Sequence, residues 1–115
     1  MRGVLLIFDV DGTLTVGDPP GPIPPSLLVE LKRRGFTVGV VGSWSKVPGD
    51  VLAELDFHYP GHPEKPRWLS EACRRYSPVI AIYVADEERD REACRLAGVT
   101  YVRPEDFRAR LTGRS

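Results

Sequence analysis

The chain has 115 residues, the length of one ordinary domain, and its 42% hydrophobic and 28% charged residues suffice for a soluble core without disulfides or structural metals. Its sixteen basic residues balance its sixteen acidic ones, which argues against a nucleic-acid-binding protein. No apolar run is long enough to cross a bilayer and no signal peptide opens the chain, so we expect one cytoplasmic domain over residues 1–115 that does not bind membranes.

An unbroken apolar segment, residues 4–8, comes first and predicts a strand buried on both faces, as in a parallel sheet. It runs into Asp9 and Asp11, which are followed by Gly12 and Thr13. Residues two apart in a strand point to the same side, about 7 Å apart, so the two carboxylates repel each other. Such a pair is expected where a cation binds, where the carboxyls share a proton, or where the strand ends at a ligand-binding edge.

The next segment, residues 16–25, is rich in glycine and proline, and its prolines exclude a regular helix and most ladder hydrogen bonds. This stiff loop follows the paired aspartates directly. We expect either a flap over a site or a plain crossover connection, and the sequence does not decide between the two.

Helical and strand patterns alternate through the rest of the chain. The predicted helices cover residues 26–34, 46–55, 65–76, 87–97 and 104–111, the predicted strands cover residues 36–41, 57–59, 79–85 and 99–102, and residues 112–115 are expected to fray. With the first strand, these elements predict an α/β fold, a three-layer doubly wound parallel sheet of about five strands. Cys73 and Cys94 fall in predicted helices and are expected to be thiols, with a disulfide left open.

In such a sheet the carboxyl ends of the strands share one edge, where ligands bind. Ser43 follows the second predicted strand, and Lys65 follows the third. Asp86 follows the fourth, and Asp90 comes one helical turn later. We therefore expect these four side chains to lie beside the aspartates that follow the first strand, in a site suited to phosphate and a divalent cation.

The order of these residues resembles the four motifs of the haloacid dehalogenase-like (HAD) superfamily. Those motifs are Asp-x-Asp-Gly-Thr after strand one, a Ser or Thr after strand two, a Lys before a later helix, and Asp-x-x-x-Asp after strand four. The resemblance spans residues 8–90. It implies a Rossmann-like core and a Mg²⁺-dependent phosphomonoester hydrolase that forms an aspartyl-phosphate intermediate on Asp9.

The resemblance also implies a role for each residue. Asp9 is the nucleophile, and Asp11 protonates the leaving group and then deprotonates the attacking water. Ser43 and Lys65 hold the phosphoryl oxygens. Backbone N–H groups of the turn that contains Asp11 and Gly12 complete the phosphate site.

The same resemblance implies a Mg²⁺ ion bound by Asp9, Asp86 and the backbone carbonyl of Asp11, because Mg²⁺ prefers oxygen ligands. Asp90 either lies behind the metal or orients the phosphate-binding lysine. Glu87 offers a neighbouring carboxylate and is the alternative second acid of this motif.

The serine and the lysine have neighbours that could take their roles. Ser45 could replace Ser43, and Lys46 competes with Lys65. The Lys-Pro pair before a helix resembles the family pattern, which favours Lys65.

Four further side chains near the predicted site have ordinary structural interpretations. His58 and His62 lack an evident set of metal-binding partners, so we interpret them as structural or surface residues. Trp44 and Trp68 flank the proposed phosphate-binding residues, where they either line a substrate pocket or pack against the core.

HAD enzymes commonly carry a cap domain after the first motif or between the second and third. Here only a proline-rich loop follows the first motif, and about twenty residues separate Ser43 from Lys65. The chain therefore resembles a capless member. An open site suits a macromolecular or extended phosphorylated substrate, or a homo-oligomer in which a neighbouring subunit covers the site.

Other functions compete with the hydrolase. Residues 8–15 and 38–43 also resemble the core of eukaryotic-type phosphomannomutases, which hold their substrate partly with a cap. A receiver domain needs an aspartate at the end of strand three, whereas Asp56 begins that strand. A dinucleotide-binding domain needs a glycine fingerprint that is missing after strand one. A catalytically silent phosphate- or metal-binding module on the same fold is the main alternative, although the retained Asp11 favours catalysis.

Overall fold

A five-stranded parallel sheet organises the computed structural model of the chain, which describes residues 3–111 and the side chains of residues 3–108. The predicted frayed end, residues 112–115, lies outside this range. The strands are β1 Val4–Phe8, β2 Thr37–Val41, β3 Phe57–Tyr59, β4 Ile80–Val84 and β5 Thr100–Val102. Their order across the sheet is β3-β2-β1-β4-β5, and every pairing is parallel.

The helices that connect these strands are α1 Pro25–Arg33, α2 Gly49–Glu54, α3 Lys65–Tyr76, α4 Glu88–Ala97 and α5 Pro104–Leu111. The predicted α/β alternation is confirmed, and both cysteines are free thiols as expected. The helix predicted over residues 46–55 is wrong at its start. Pro48 disfavours helical geometry at Val47, which is extended, so a separate 3-10 turn, Trp44–Lys46, precedes α2. None of the described helices is long and apolar enough to cross a bilayer.

The side chains of β1 alternate between two core layers. Leu6 and Phe8 face the layer covered by α1, α2 and α5, where the ring of Phe107 lies 5.4 Å from that of Phe8. Leu5 and Ile7 face the layer covered by α3 and α4. The predicted three-layer architecture is therefore confirmed, and the described part of the chain contains no cap domain.

The apolar segment predicted as a strand over residues 79–85 forms β4, but the amino end of this segment is exposed. Tyr83, Val84 and Ala85 are fully buried, but Ile80 is 49% exposed and Val79 is 86% exposed. Burial along a strand depends on which parts of the sheet the helices cover. An apolar run does not report that coverage.

The strand order excludes the receiver domain. From the central β1 the chain builds β2 and β3 on one side and then β4 and β5 on the other, the order found in Rossmann-type sheets. Receiver domains share the flavodoxin-like order 2-1-3-4-5. Asp56, just before β3, accepts a hydrogen bond from the N–H of Val38 at 2.9 Å, which places its carboxylate at the amino end of the sheet.

The proline-rich loop is a packed connection anchored by backbone hydrogen bonds. The carbonyl of Val10 accepts hydrogen bonds from the N–H groups of Thr13 and Leu14, at 3.1 and 2.8 Å, which makes one helical turn after β1. Leu14 and Ile23 then pair through a parallel bridge, and both are fully buried. The chain therefore enters and leaves the loop at the same anchored point.

Substitution of Leu31 by alanine tests the packing of α1 on the sheet. Leu31 is fully buried, so Leu31→Ala leaves a cavity, and we expect the free energy of unfolding to fall by about 2–5 kcal/mol. Leu96 on α4 is 63% exposed, and for the control Leu96→Ala we expect a change within about 0.5 kcal/mol. Urea unfolding measures both, and equal losses would contradict the described packing.

Candidate active site

The candidate active site lies beyond the carboxyl ends of β1 and β4, at the point where the strand order reverses. Open α/β sheets bind ligands at such a switch point. A cavity of about 470 Å³ opens at this edge. Its wall includes Asp9, Asp11, Ser43 and Lys65, so the structure brings together the four predicted catalytic residues from the ends of three strands.

Asp9 lies deep in this cavity and is linked to a buried lysine. Its Oδ1 accepts a hydrogen bond from the N–H of Val10 at 2.8 Å, and its Oδ2 lies 3.6 Å from Nζ of Lys65. Lys65 is 2% exposed and donates a hydrogen bond to Oδ1 of the fully buried Asp90 at 2.8 Å. Asp90 therefore orients Lys65. This is one of the two roles that the resemblance implied for Asp90.

A buried tyrosine forms the floor beneath the lysine. The ammonium of Lys65 lies 5.2 Å from the ring centroid of Tyr83, whose hydroxyl donates a hydrogen bond to the carbonyl of Val41 at 2.9 Å. Burial raises the pKa of Tyr83 well above its ordinary value, so the phenol stays neutral. No local pattern predicts this contact, because Tyr83 is one residue within an apolar strand.

Two glycines let carboxylates approach the backbone. A Cβ on Gly42 would lie 2.4 Å from Oδ1 of Asp9. A Cβ on Gly12, whose φ is +76°, would lie 2.2 Å from Oδ2 of Asp86. The second contact shows that the carboxyl of Asp86 packs against the turn that follows β1, as the predicted convergence of strand ends requires.

The carboxyls of Asp9 and Asp86 both have raised pKa values. Burial raises the pKa of Asp9 to about 6, although the ammonium of Lys65 opposes this shift. Burial also raises the pKa of Asp86, and the nearby carboxylates of Glu87 and Asp90 add to the effect. Within the described residues, Oδ1 of Asp86 and Oδ2 of Asp90 are buried without a hydrogen-bond partner. The site thus holds more negative charge than its own groups neutralise.

Asp11 has the opposite electrostatic setting. Its Oδ1 accepts hydrogen bonds from Nζ of Lys46 at 2.6 Å and from the N–H of Asp18 at 2.8 Å, and its Oδ2 accepts one from Ser43 at 3.2 Å. Burial alone would raise the pKa of Asp11, but these donors outweigh it and lower the pKa. Asp11 is therefore held as a carboxylate.

The structure distinguishes between the two lysines that the sequence offered for phosphate binding. Lys65 lines the cavity, whereas Lys46 pairs with Asp11 and is not among the side chains of the cavity wall. The cavity wall does not distinguish between the two serines. Ser43 and Ser45 both line the cavity, and Ser43 also donates to Asp11.

Sequence reasoning left His62 out of the site, but it lies in the cavity wall with Nε2 3.5 Å from Oδ1 of Asp90. Burial lowers the pKa of His62, and the cations of Lys65 and Arg89 lower it further. Trp44 also lines the cavity, which decides between its two interpretations. Both residues follow the carboxyl ends of strands, so the rule that placed Ser43 at this edge could have found them.

The predicted metal ligands do not form a closed cluster. Among residues 3–111, no three His, Cys, Asp or Glu side chains are grouped closely enough to hold a metal ion by themselves. Lys65 engages Oδ1 of Asp90, and hydrogen bonds occupy both carboxylate oxygens of Asp11, whose predicted ligand is its backbone carbonyl. Asp9 and Asp86 offer the carboxylates, and two carboxylates suit Mg²⁺, which commonly keeps several waters and uses substrate phosphate as a ligand.

The flap interpretation of the proline-rich loop is not supported. No side chain from residues 16–25 lines the cavity, and the loop reaches the site through two backbone groups. The N–H of Asp18 donates to Asp11 at 2.8 Å, and the carbonyl of Pro19 accepts from the N–H of Gly12 at 2.6 Å, so this N–H, predicted to bind phosphate, is already paired. The loop therefore positions Asp11 from the side and leaves the cavity open.

Searches of the chain against the known protein families, the curated proteins and the solved structures found no match. The resemblance of residues 8–90 to the HAD superfamily therefore stays a prediction from the motif residues. The positions and contacts of the residues in the cavity wall are the observations that support a function.

The raised pKa of Asp9 predicts a pH-dependent stability difference. Between pH 4 and 6 the folded chain holds the Asp9 proton more tightly than the unfolded chain, so stability from this group falls as pH rises and is lost above pH 6. We expect Asp9→Asn, which cannot ionise, to exceed the wild type by about 3 kcal/mol at pH 7.5 in EDTA, with no such gain at pH 4. Denaturant unfolding across this range measures the difference. The control, Asp106→Asn, removes a solvent-exposed carboxylate. A stability difference between Asp9→Asn and the wild type that grows as pH falls would contradict the prediction.

Proposed function

We propose that the chain is a Mg²⁺-dependent phosphomonoester hydrolase of the HAD type that acts through an aspartyl-phosphate on Asp9. One observation carries the proposal: a buried carboxylate opens onto a cavity at the switch point, 3.6 Å from the ammonium of Lys65, with Asp11 in the same wall. A nucleophile, a phosphate-binding cation and an acid/base group are the parts that this chemistry needs.

The charges of the site support a divalent cation as the cofactor. Asp9, Asp86 and Asp90 bring three negative charges, and Lys65 brings one positive charge. A phosphate dianion would be repelled by this set. Asp9 and the unpartnered oxygen of Asp86 are the groups that would hold Mg²⁺, which when bound neutralises carboxylates and phosphoryl oxygens so that they can approach.

Asp9 is held for attack on phosphorus. The N–H of Val10 fixes one oxygen, and the other faces Lys65. In the first step this oxygen bonds to phosphorus while the bond from phosphorus to the ester oxygen breaks. The leaving alcohol takes a proton from Asp11. In the second step water attacks the aspartyl-phosphate, Asp11 accepts its proton, and phosphate leaves with Asp9 restored.

The lowered pKa of Asp11 suits one of these steps better than the other. As a carboxylate held by Lys46 and Ser43, it is ready to accept a proton from water. The same contacts oppose the first step, in which Asp11 must donate one. This specific observation favours the second candidate function, a catalytically silent phosphate- or metal-binding module.

The surroundings of the site bear on the substrate and on partners. The cavity is open and no cap domain is present in the described chain, which is compatible with an extended or macromolecular phosphate ester, or with a second copy of the chain over the cavity. A cytoplasmic location is part of the same proposal. A phosphomutase is less favoured, because residues 3–111 include no cap that could hold a sugar phosphate through a change of orientation.

Hydrolysis of p-nitrophenyl phosphate tests the proposed function. We expect activity that requires Mg²⁺ and is abolished by EDTA, and we expect Asp9→Asn to lower kcat by at least about 10³-fold because it removes the nucleophile. The exposed Asp106→Asn variant is the matched control and should retain wild-type activity. Undiminished activity in Asp9→Asn would eliminate the mechanism. Phosphate binding by calorimetry without any hydrolysis would favour the silent module.

The ion pair between Lys46 and Asp11 predicts a change in the pKa of Asp11. Lys46→Met removes the cation that lowers this pKa, so the pKa should rise toward the ordinary value of an aspartate. Carboxyl carbon NMR shifts followed through a pH titration measure it. Lys46→Arg should keep the wild-type pKa, and Lys32→Met, which breaks a surface pair with Asp56, is the control. An unchanged pKa in Lys46→Met would show that Lys46 does not set the pKa of this group.

A further inference from the structure

Trp44 is the feature of the cavity that the proposed chemistry does not use. Among the described residues, four large hydrophobic side chains are exposed: Trp44, Val79, Ile80 and Leu96. Only Trp44 is aromatic, and only Trp44 lines the cavity. It is 37% exposed and lies in the cavity wall, so part of the indole is open to a ligand.

The indole contacts a histidine ring, and two hydrogen bonds hold its backbone. Its ring centroid lies 4.5 Å from that of His58, at an interplanar angle of 49°. The backbone N–H of Trp44 donates to the carbonyl of Gly42 at 2.7 Å, and its carbonyl accepts from the N–H of Val47 at 2.9 Å. Because the backbone of Trp44 is anchored in the wall, less ordering is needed when a ligand stacks on its ring.

Trp44 is also placed where a leaving group would lie. It follows Ser43 directly and shares the cavity wall with Pro60 and Gly61, which present apolar surface and backbone. The cavity of about 470 Å³ is larger than a phosphoryl group needs and falls in the range that accommodates a small organic ligand. The part of the wall beyond the phosphate-binding residues is therefore suited to the alcohol portion of a phosphate ester.

The charges beyond the phosphate-binding residues do not favour a second strong anion. Arg89 lies in the wall but forms an ion pair with Glu87 at 2.5 Å, and Lys46 is engaged by Asp11. Because both cations already have carboxylate partners, neither is free to attract an added anion strongly. A leaving group that is uncharged beyond its phosphate, with a flat face for the indole, fits this wall.

We propose that Trp44 forms the leaving-group subsite and stacks on an aromatic ring, so that the substrates are phosphate monoesters of ring-bearing alcohols, such as nucleoside monophosphates or benzyl-type phosphates. This inference rests on the proposed hydrolase function. Stacking of a base on an aromatic side chain corresponds to a preference of roughly 5- to 100-fold in kcat/KM.

Matched pairs of substrates test the subsite. AMP and ribose 5-phosphate carry the same primary phosphoester and differ by the base, and benzyl phosphate and cyclohexylmethyl phosphate differ mainly in ring aromaticity. We expect the wild type to prefer the aromatic member of at least one pair by roughly 5- to 100-fold. The preference should be lost in Trp44→Ala and retained in Trp44→Phe. Trp68→Phe, at the other tryptophan, is the control and should keep it.

The two pairs also identify the source of the ring. Preference in the first pair alone indicates a nucleobase reached across a ribose, and preference in the second pair alone indicates a ring beside the ester. Hydrolysis without a preference in either pair, or a preference that survives Trp44→Ala, would overturn the subsite while the hydrolase function stands. A preference for ribose 5-phosphate over AMP would overturn it in favour of sugar recognition.

A binding measurement keeps the subsite testable if no ester is hydrolysed. In Trp68→Phe, Trp44 is the single tryptophan, so its fluorescence reports on the cavity directly. With Mg²⁺ present, we expect AMP or benzyl phosphate to quench this fluorescence at concentrations where ribose 5-phosphate and cyclohexylmethyl phosphate do not. Quenching without hydrolysis would support the subsite and reject the hydrolase. The absence of quenching by either aromatic ester would reject the subsite.

Discussion

The ammonium of Lys65 is buried between two carboxylates, 2.8 Å from Asp90 and 3.6 Å from Asp9, above the ring of Tyr83. A charge in this position costs several kcal/mol in lost hydration unless its partners are in place. The three groups come from the end of β1 and the first turns of α3 and α4, so those elements have to pack together before any of the charges is stably buried. The apolar layers on both faces of the sheet therefore have to offset the cost of burying these charges.

Local sequence signals were enough for the strand that leads to the site and for the architecture around it. The run before Asp9 is apolar at every position, and β1 is buried on both faces as expected. Because the carboxyl ends of parallel strands share one edge, the sequence also predicted that Ser43, Lys65 and Asp86 lie at one end of the sheet. The departures from the sequence-based predictions had two causes. Pro48 acts locally and shifts the start of α2, whereas the half exposure of Ile80 within an apolar run depends on how far the helices cover the sheet.

The chemical character of the site was less predictable than its position. Asp9 and Asp11 are the same residue type, two positions apart, and their pKa values shift in opposite directions. The difference arises from burial of Asp9 and from the contact of Asp11 with Lys46, a residue that the sequence placed as a competitor for phosphate. Spacing along the chain fixes which groups meet at an edge. It does not fix how far each group is buried or which hydrogen-bond donor contacts it.

The uncovered cavity has a kinetic consequence for the proposed hydrolase. Enzymes that close over a substrate have to open again, and that motion often limits turnover. Here no closing segment stands between the cavity and solvent in the described chain, so turnover would be limited by chemistry or by departure of phosphate and not by a conformational cycle. The same openness admits water to the outer wall, where ionic contacts are screened. Strong electrostatic discrimination is then confined to the sealed floor around Lys65, and selection of the outer part of a ligand rests on shape and stacking.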